Sequence, residues 1–223
     1  MTKHAQDNLS MLLHIATRLG AMRDEVVFAG GCVVGLLITD EGAPDVRPTK
    51  DVDVIVDVLS RSHYYELEER LRKTGFRQDA REDQLFCRWE IDSIKVDILP
   101  TSDQITGIGN PWFEGAWQKA TRVSLDEHVS ARVISAPYFI ATKLVAFFDR
   151  GGQDYSASHD LEDIIAVIDG RDSLKEEIMA ERSELRQYLS ESFSSLLSEA
   201  RFIDSLPGHL PFDEASQARL PRL

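Results

Sequence analysis

Two aspartates stand two residues apart in a segment built mainly of valine and isoleucine: Asp51 and Asp53 in DVDVIVDV, residues 51–58. Such residues favour strands, and successive side chains of a strand point to opposite faces, so the two carboxylates share one face. Carboxylates about 5–7 Å apart repel each other by roughly 2–3 kcal/mol at an effective dielectric near 20, and a bridging cation relieves this repulsion. Because carboxylate oxygens suit Mg²⁺ or Mn²⁺, the spacing predicts a divalent-cation site.

A third carboxylate, Asp97, lies in KVDIL, residues 95–99, where it alternates with Val96 and Ile98 and so faces away from an apolar layer. A third acidic residue from another strand completes a two-metal site, in which one cation activates a hydroxyl and the other holds a triphosphate. We expect Asp97 to bind the first cation and to act as, or orient, the general base. The alternative is that all three are exposed aspartates of edge strands, although aspartate is depleted in strands.

A glycine pair, Gly30-Gly31, follows the apolar segment 26–29 and precedes the apolar segment 32–38. Glycine allows the backbone to approach a ligand closely, and free N–H groups at the start of a helix bind phosphate. By itself such a pair usually marks only a turn. Placed one element before the Asp-x-Asp segment, it predicts a phosphate contact.

The elements that position these residues follow from hydrophobic periodicity and from turn residues. Their order predicts an α/β or α+β domain followed by a helical region. We predict helices at 7–23, 32–38, 62–74, 136–149 and 158–168, helical structure throughout 174–206, and a helix or ordered loop at 110–120. Strands are predicted at 26–29, 51–58, 121–125 and 131–134, with a hairpin of 84–91 and 94–99. We expect an exposed loop at 40–50 and an irregular tail after 207.

Composition narrows the possible functions. The formal net charge of −13 disfavours a protein that coats nucleic acid broadly. The two cysteines, Cys32 and Cys87, lie in apolar surroundings and are expected to be reduced and buried. The first ten residues have no apolar signal segment, and no apolar run is long enough to cross a bilayer. We therefore expect a cytoplasmic protein.

In combination, these segments resemble the DNA-polymerase-β-like nucleotidyltransferase superfamily. Its pattern is a strand that ends in Gly-Gly or Gly-Ser, a helix, a strand with Asp-x-Asp, and a later strand with a third acidic residue. The matching segments here are FAGG (28–31), TKDVDV (49–54) and KVDI (95–98). The resemblance implies an α+β fold in which a small mixed sheet is flanked by helices. It also implies a nucleotidyltransferase core at 1–135 and a helical C-terminal region at 136–223.

A narrower resemblance is to the AbiEii-type toxin nucleotidyltransferases, which carry a lysine on a helix after the sheet and then an aspartate-rich helix start. The matching segments are ATKLVA (141–146), Arg150-Gly151 and HDLED (159–163). This resemblance implies that Lys143 contacts the nucleotide phosphates and that Asp160 helps to hold the site. Lys143 also lies in an otherwise apolar helix, where it needs a partner or an anionic ligand unless it occupies the solvent face.

These observations predict a Mg²⁺- or Mn²⁺-dependent enzyme that transfers a nucleoside monophosphate from a nucleoside triphosphate such as ATP to a hydroxyl. The predicted catalytic and metal residues are Asp51, Asp53 and Asp97, and the predicted nucleotide-binding residues are Gly30, Gly31, Lys143 and Asp160. The acceptor stays open between tRNA, a protein and a small molecule such as an aminoglycoside. Two alternatives stay open as well: a non-catalytic module of the same fold, for instance in a toxin–antitoxin pair with an antitoxin partner, and a metal-dependent phosphodiesterase.

Overall fold

The computed structural model describes residues 1–58, 60–78, 87–106, 109–151 and 154–223. These residues form two compact units. The sheet unit consists of Gln6–Val33 and Pro48–Ser135, and the helical unit consists of Met1–Ala5, Val34–Arg47 and Ala136–Leu223. The division into a core at 1–135 and a helical region at 136–223 stays a prediction.

The sheet unit contains the seven strands of the described residues: β1 (Val26–Ala29), β2 (Asp51–Val56), β3 (Arg77–Gln78), β4 (Arg88–Ile91), β5 (Ile94–Pro100), β6 (Thr121–Ser124) and β7 (Ser130–Val133). They form one sheet in the order β3-β4-β5-β2-β1-β7-β6. Strand β2 is parallel to β5 and antiparallel to β1, whereas β1 is parallel to β7. The sheet is therefore mixed, as predicted.

The helices of the described residues are α1 (Lys3–Leu19), α2 (Val34–Leu37), α3 (Arg61–Lys73), α4 (Asp103–Thr106), α5 (Phe113–Gln118), α6 (Ala136–Asp149), α7 (His159–Gly170), α8 (Leu174–Ala180), α9 (Ser183–Ser198), α10 (Ala200–Ser205) and α11 (Glu214–Gln217). After β7 the described chain contains helices and no strand, so the α+β fold with a helical C-terminal region is confirmed. None of the described helices is long and apolar enough to span a bilayer.

The predicted hairpin of β4 and β5 closes with a two-residue turn. Asp92 and Ser93 both have positive φ, 49° and 66°, which is the backbone of the turns that match the twist of two antiparallel strands. Ile91 pairs with Ile94, and the register therefore places Arg88 opposite Asp97. Of the predicted first strand, residues 84–86 lie outside the described residues, and β4 begins at Arg88.

Two expectations for loops were wrong. The tail after residue 207 is not irregular, because it contains α11 and short 3-10 helices at Leu206–His209 and Leu220–Arg222. The 40–50 segment has no regular structure, but it is not wholly exposed, since Val46 is buried and Arg47 binds a buried carboxylate. Hydrophobic periodicity gave no sign of the ion pairs that hold these segments, Arg47 with Asp163 and Arg219 with Asp169, because the partners are far apart in the chain.

Candidate active site

Three predicted site residues lie on one face of two adjacent strands in the sheet unit. In the parallel pair β2–β5, Asp53 is the register partner of Asp97, and Asp51 stands two residues before Asp53. The intervening Val52 and Val96 are fully buried on the opposite face. Neighbouring strands are about 4.8 Å apart, so the carboxylates of Asp53 and Asp97 project side by side.

Neither strand is at an edge of the sheet, because β5 lies between β4 and β2, and β2 lies between β5 and β1. The alternative of edge-strand aspartates is therefore excluded. The side chain of Asp51 is 40% exposed, whereas that of Asp97 is only 10% exposed. On this face Asp51 is therefore accessible to solvent, whereas Asp97 is largely enclosed by protein.

The glycine pair lies directly beside these carboxylates. Ala29, the last residue of β1, pairs with Asp53, and Gly30 then turns the chain with φ of +69°. A Cβ atom at Gly30 would overlap the Oδ2 atom of Asp53. Glycine is therefore required here for two reasons, the left-handed backbone and the contact with the carboxylate. Gly31 is buried and begins a short 3-10 helix, Gly31–Val33, and its phosphate contact stays a prediction.

Arg88 is a site residue that the sequence analysis missed. Its Nε donates to Oδ1 of Asp97 at 2.7 Å and its Nη2 donates to Oδ2 at 2.6 Å. The same Nη2 lies 4.0 Å from Oδ2 of Asp51. The signal was present in the sequence: once 92–93 is the turn of a hairpin, counting three residues back from Ile91 and three forward from Ile94 pairs Arg88 with Asp97.

In the pair of Arg88 with Asp97, the positive guanidinium neutralises the negative carboxylate. Hydrogen bonding to Asp97 raises the pKa of Arg88, so its guanidinium is positive at every accessible pH. The neighbouring Cys87 is buried, and burial, followed by the negative charge of Asp97, raises the pKa of its thiol to about 12. Cys87 is therefore a neutral thiol at neutral pH and not a nucleophile.

The donor chemistry fits a divalent cation in part. Asp51 and Asp53 offer carboxylate oxygens on one face, and Gly30 leaves the Asp53 carboxylate room that a side chain would fill. Both oxygens of Asp97 accept hydrogen bonds from Arg88. Among the described residues, no group of three or more His, Cys, Asp or Glu side chains is arranged to hold a metal ion. The positive charge of Arg88 thus stands next to both oxygens of the third carboxylate, where it opposes the binding of a cation.

The other two predicted residues, Lys143 and Asp160, meet in the helical unit. The Nζ atom of Lys143 donates to Asp160 at 3.1 Å and forms an ion pair with Asp163 at 2.7 Å. The Lys143 side chain is 12% exposed, so the solvent-face alternative is excluded. Arg150 also binds the Asp160 carboxylate. The structure thus pairs the two residues, and their predicted roles toward a nucleotide stay predictions.

Asp163 and Arg47 complete this cluster and were not predicted. Arg47 donates to both oxygens of Asp163, at 2.7 and 2.8 Å. Burial of Asp163 alone would raise its pKa, but the adjacent Lys143 and Arg47 outweigh burial and lower it. Asp163 lies one turn after Asp160 on the same face of α7, which is a sequence signal. Arg47 precedes Asp163 by 116 residues, and no local sequence pattern indicates that the two residues pair.

A cavity of about 490 Å³ in the helical unit is lined mainly by apolar side chains of α7, α8 and α9. None of the predicted site residues lines it. Size and apolarity therefore do not mark the candidate site in this molecule, whereas the charged groups of the sheet do.

No protein-family model matches the chain, and no curated protein matches its sequence. Solved structures do match it. A nucleotidyltransferase-like antigenic protein from Paracoccidioides brasiliensis is 19% identical with a TM-score of 0.54, over 91% of this chain and 93% of that chain. The solution structure of the antibiotic-resistance factor ANT(2'')-Ia is 16% identical with a TM-score of 0.52, over 86% of this chain and 96% of that chain.

A crystal structure of ANT(2'')-Ia in complex with adenylyl-2''-tobramycin is 15% identical with a TM-score of 0.50, over 84% of this chain and 97% of that chain. At these identities the likeness concerns the fold. The chain has the fold of nucleotidyltransferase-like proteins.

Proposed function

We propose that this protein is a nucleotidyltransferase that depends on a divalent cation. The observation that carries the proposal is the Asp51–Asp53 pair on an internal strand, with Gly30 in contact with Asp53, in a fold shared with nucleotidyltransferase-like proteins. A hydroxyl oxygen of the acceptor attacks the α-phosphorus of a nucleoside triphosphate. The bond from that phosphorus to the β-phosphate oxygen breaks, pyrophosphate leaves, and the hydroxyl proton passes to a base.

In this proposal Asp51 and Asp53 hold Mg²⁺ or Mn²⁺, which when bound neutralises triphosphate charge and makes the hydroxyl more acidic. Gly30 keeps the Asp53 carboxylate uncrowded on the sheet face. In the same proposal Asp97, the register partner of Asp53, would bind a second cation or take the hydroxyl proton after it separates from Arg88.

For the acceptor, we propose a small, positively charged molecule with free hydroxyl groups. The chain carries a net charge of −13, which repels a nucleic acid backbone and attracts a cationic molecule. A structural neighbour was solved with adenylyl-2''-tobramycin, so tobramycin is the first probe to use. Transfer to tRNA or to a protein instead of a small molecule is another outcome of the same experiment. An antitoxin partner stays a prediction.

One observation favours a second candidate, a non-catalytic module of the same fold. Arg88 neutralises the charge of Asp97 and donates a hydrogen bond to each of its oxygens, which opposes the binding of a cation by Asp97. If Arg88 never leaves, the site retains two carboxylates and binds a nucleotide without transferring it.

The test is label transfer by the full-length protein with each α-labelled nucleoside triphosphate, Mg²⁺, and tobramycin, total tRNA or cell protein as acceptor. Asp51→Asn and Asp53→Asn are each expected to lower transfer by roughly 100-fold or more, because lost cation binding removes several kcal/mol of transition-state stabilisation. The control is Asp57→Asn, which removes the same charge from an exposed position just after β2.

The outcomes separate the candidates. Transfer of the α-label with release of pyrophosphate supports the enzyme. Metal-dependent binding of a triphosphate without transfer to any acceptor supports the binding module. Hydrolysis of a phosphodiester without transfer indicates a phosphodiesterase, and the absence of metal-dependent triphosphate binding contradicts both proposed functions.

A further inference from the structure

We propose that Arg88 is a built-in competitor of the divalent cation: it holds Asp97 when no nucleotide is bound, and it releases Asp97 when a nucleotide brings both a cation and phosphate groups. This inference rests on the proposed function and names a regulating residue within the same site.

Arg88 and Asp97 form a close ion pair with two points of contact. The Arg88 guanidinium meets the Asp97 carboxylate with two parallel hydrogen bonds of 2.7 and 2.6 Å, each to a different oxygen. Charge-assisted pairs of this fork-like kind are the strongest hydrogen bonds that proteins make. The Arg88 and Asp97 side chains are 20% and 10% exposed, so water screens the pair far less than it screens a surface ion pair.

The Arg88 guanidinium lies near carboxylates of two different strands. Its Nη2 atom reaches from β4 across β5 and lies 4.0 Å from Oδ2 of Asp51 on β2. The positive charge therefore lies between two of the carboxylates that are proposed to share cations. A divalent cation needs carboxylate oxygens at about 2.0–2.1 Å, and at that distance from Asp97 it would meet the guanidinium at close range and be repelled.

The positive charge of Arg88 needs an anionic partner both before and after it leaves Asp97. Arg88 extends from a strand, so only its flexible side chain has to move for Asp97 to become free. A departing guanidinium needs another anion, because a positive charge left unpaired in this partly enclosed site is unfavourable. A nucleoside triphosphate with its cation supplies both groups at once: the cation binds Asp97, and the phosphates accept the hydrogen bonds of Arg88.

Mn²⁺ binding to the nucleotide-free, full-length protein tests the proposal, measured from the free Mn²⁺ signal in electron paramagnetic resonance. Arg88→Met removes the charge and keeps much of the side-chain volume. We expect this variant to bind Mn²⁺ roughly tenfold more tightly than the parent, because a positive charge within a few Å of the cation is gone. With a non-hydrolysable triphosphate present, the gain is expected to shrink or reverse.

The matched control is Arg122→Met. Arg122 belongs to the same unit and pairs with Asp24 at 2.8 Å, but both side chains are about half exposed and neither belongs to the candidate site. This variant has the same change in net charge, and its Mn²⁺ affinity is expected to stay within about twofold of the parent value, since solvent and salt screen the lost charge.

A double variant, Arg88→Met with Asp97→Asn, tests whether Arg88 acts through Asp97. We expect this double variant to lose the gain in Mn²⁺ affinity that Arg88→Met alone shows. A gain that persists in the double variant, or an Arg88→Met affinity no higher than that of Arg122→Met, overturns the proposal. If Arg88→Met does not fold, Arg88→Lys replaces it: lysine keeps the charge but lacks the fork, so a smaller gain is expected, and no gain overturns the proposal.

These outcomes are distinguishable from failure of the proposed function. A parent protein that transfers nucleotides while Arg88→Met leaves Mn²⁺ affinity unchanged refutes the inference alone. A tighter Mn²⁺ affinity in Arg88→Met, together with no transfer by the parent protein, refutes the enzyme and leaves the competition between Arg88 and the cation standing.

Discussion

The sheet face depends on how closely the backbone at Gly30 approaches Asp53. We predict that Gly30→Ala lowers the free energy of unfolding by more than the roughly 1–2 kcal/mol of a left-handed non-glycine residue, because its Cβ also overlaps the Asp53 carboxylate. Displacing Asp53 should weaken Mn²⁺ binding as well. Urea unfolding and Mn²⁺ titration measure the two effects.

Gly20→Ala is the matched control. Gly20 has φ of +57°, and a Cβ there would meet nothing within 4 Å, so this variant bears only the backbone strain. Equal losses of stability in the two variants, with Mn²⁺ binding unchanged in Gly30→Ala, would show that contact with Asp53 is not what requires glycine at position 30.

At the same scale, part of the site was predictable and part was not. Strand alternation correctly placed Asp51, Asp53 and Asp97 on one face, because the apolar residues between them must be buried. Arg88 follows from the same hairpin by counting, but only after the turn is fixed at 92–93. The pairing of Arg47 with Asp163 was beyond reach, since no local pattern links residues 116 positions apart.

Among the elements, α7 is unusual because three of its aspartates are buried, at positions 160, 163 and 169. Each is paired with a basic residue from outside the helix: Asp160 and Asp163 with Lys143 of α6, Asp163 also with Arg47, and Asp169 with Arg219. The periodicity of 158–168 predicted the helix from its apolar face. That periodicity did not indicate the basic partners, although the helix needs them because a buried aspartate without a charged partner is strongly destabilising.

We predict that Asp163→Asn lowers the free energy of unfolding at pH 7 by about 3–5 kcal/mol, because Lys143 and Arg47 lose a shared buried carboxylate. The native pKa of Asp163 is lowered by these cations, so its stabilisation is complete above the unfolded pKa of about 3.9 and is lost as the pH falls through the native pKa. The difference between parent and variant should therefore shrink below about pH 4.

Urea unfolding at a series of pH values between 3 and 7 measures this difference. Asp149→Asn, at an exposed position on α6, serves as the control and should change the free energy of unfolding by less than about 0.5 kcal/mol at every pH. A difference for Asp163→Asn that grows on acidification would contradict the assigned direction of the pKa shift.

For the molecule as a whole, the helical unit is assembled from three separate segments of the chain. Arg219, in the tail, joins two of them: it donates to both carboxylate oxygens of Asp169 at 2.8 Å and to Asp40 at 2.7 Å. Its hydrogen bond, with others from Gly42 and Arg222, lowers the pKa of Asp40 to about 2. The ordered tail was not predictable because its anchor, Asp169, is specified far upstream.

We predict that Arg219→Met lowers the free energy of unfolding by about 3–5 kcal/mol, because it leaves the buried Asp169 carboxylate without its charged partner. Arg222→Met should cost less than about 1 kcal/mol, since Arg222 is itself 36% exposed, its partner Asp172 is mostly exposed, and its other partner, Asp40, keeps Arg219. Urea unfolding compares the two, and limited proteolysis reports whether the tail is released. Similar losses in both variants would refute the anchoring role of Arg219.

The long separation between Arg47 and Asp163 also has a consequence in time. A ribosome that adds roughly 5–20 residues per second needs about 6–23 seconds to advance the 116 positions from one partner to the other. The Pro48–Ser135 segment of the sheet unit is synthesised within that interval, so the whole sheet unit has been made while the Val34–Arg47 segment of the helical unit still waits for α7. The ion pair between Arg47 and Asp163 therefore forms only after the sheet unit has been made, and the helical unit cannot be completed during synthesis before α7 emerges.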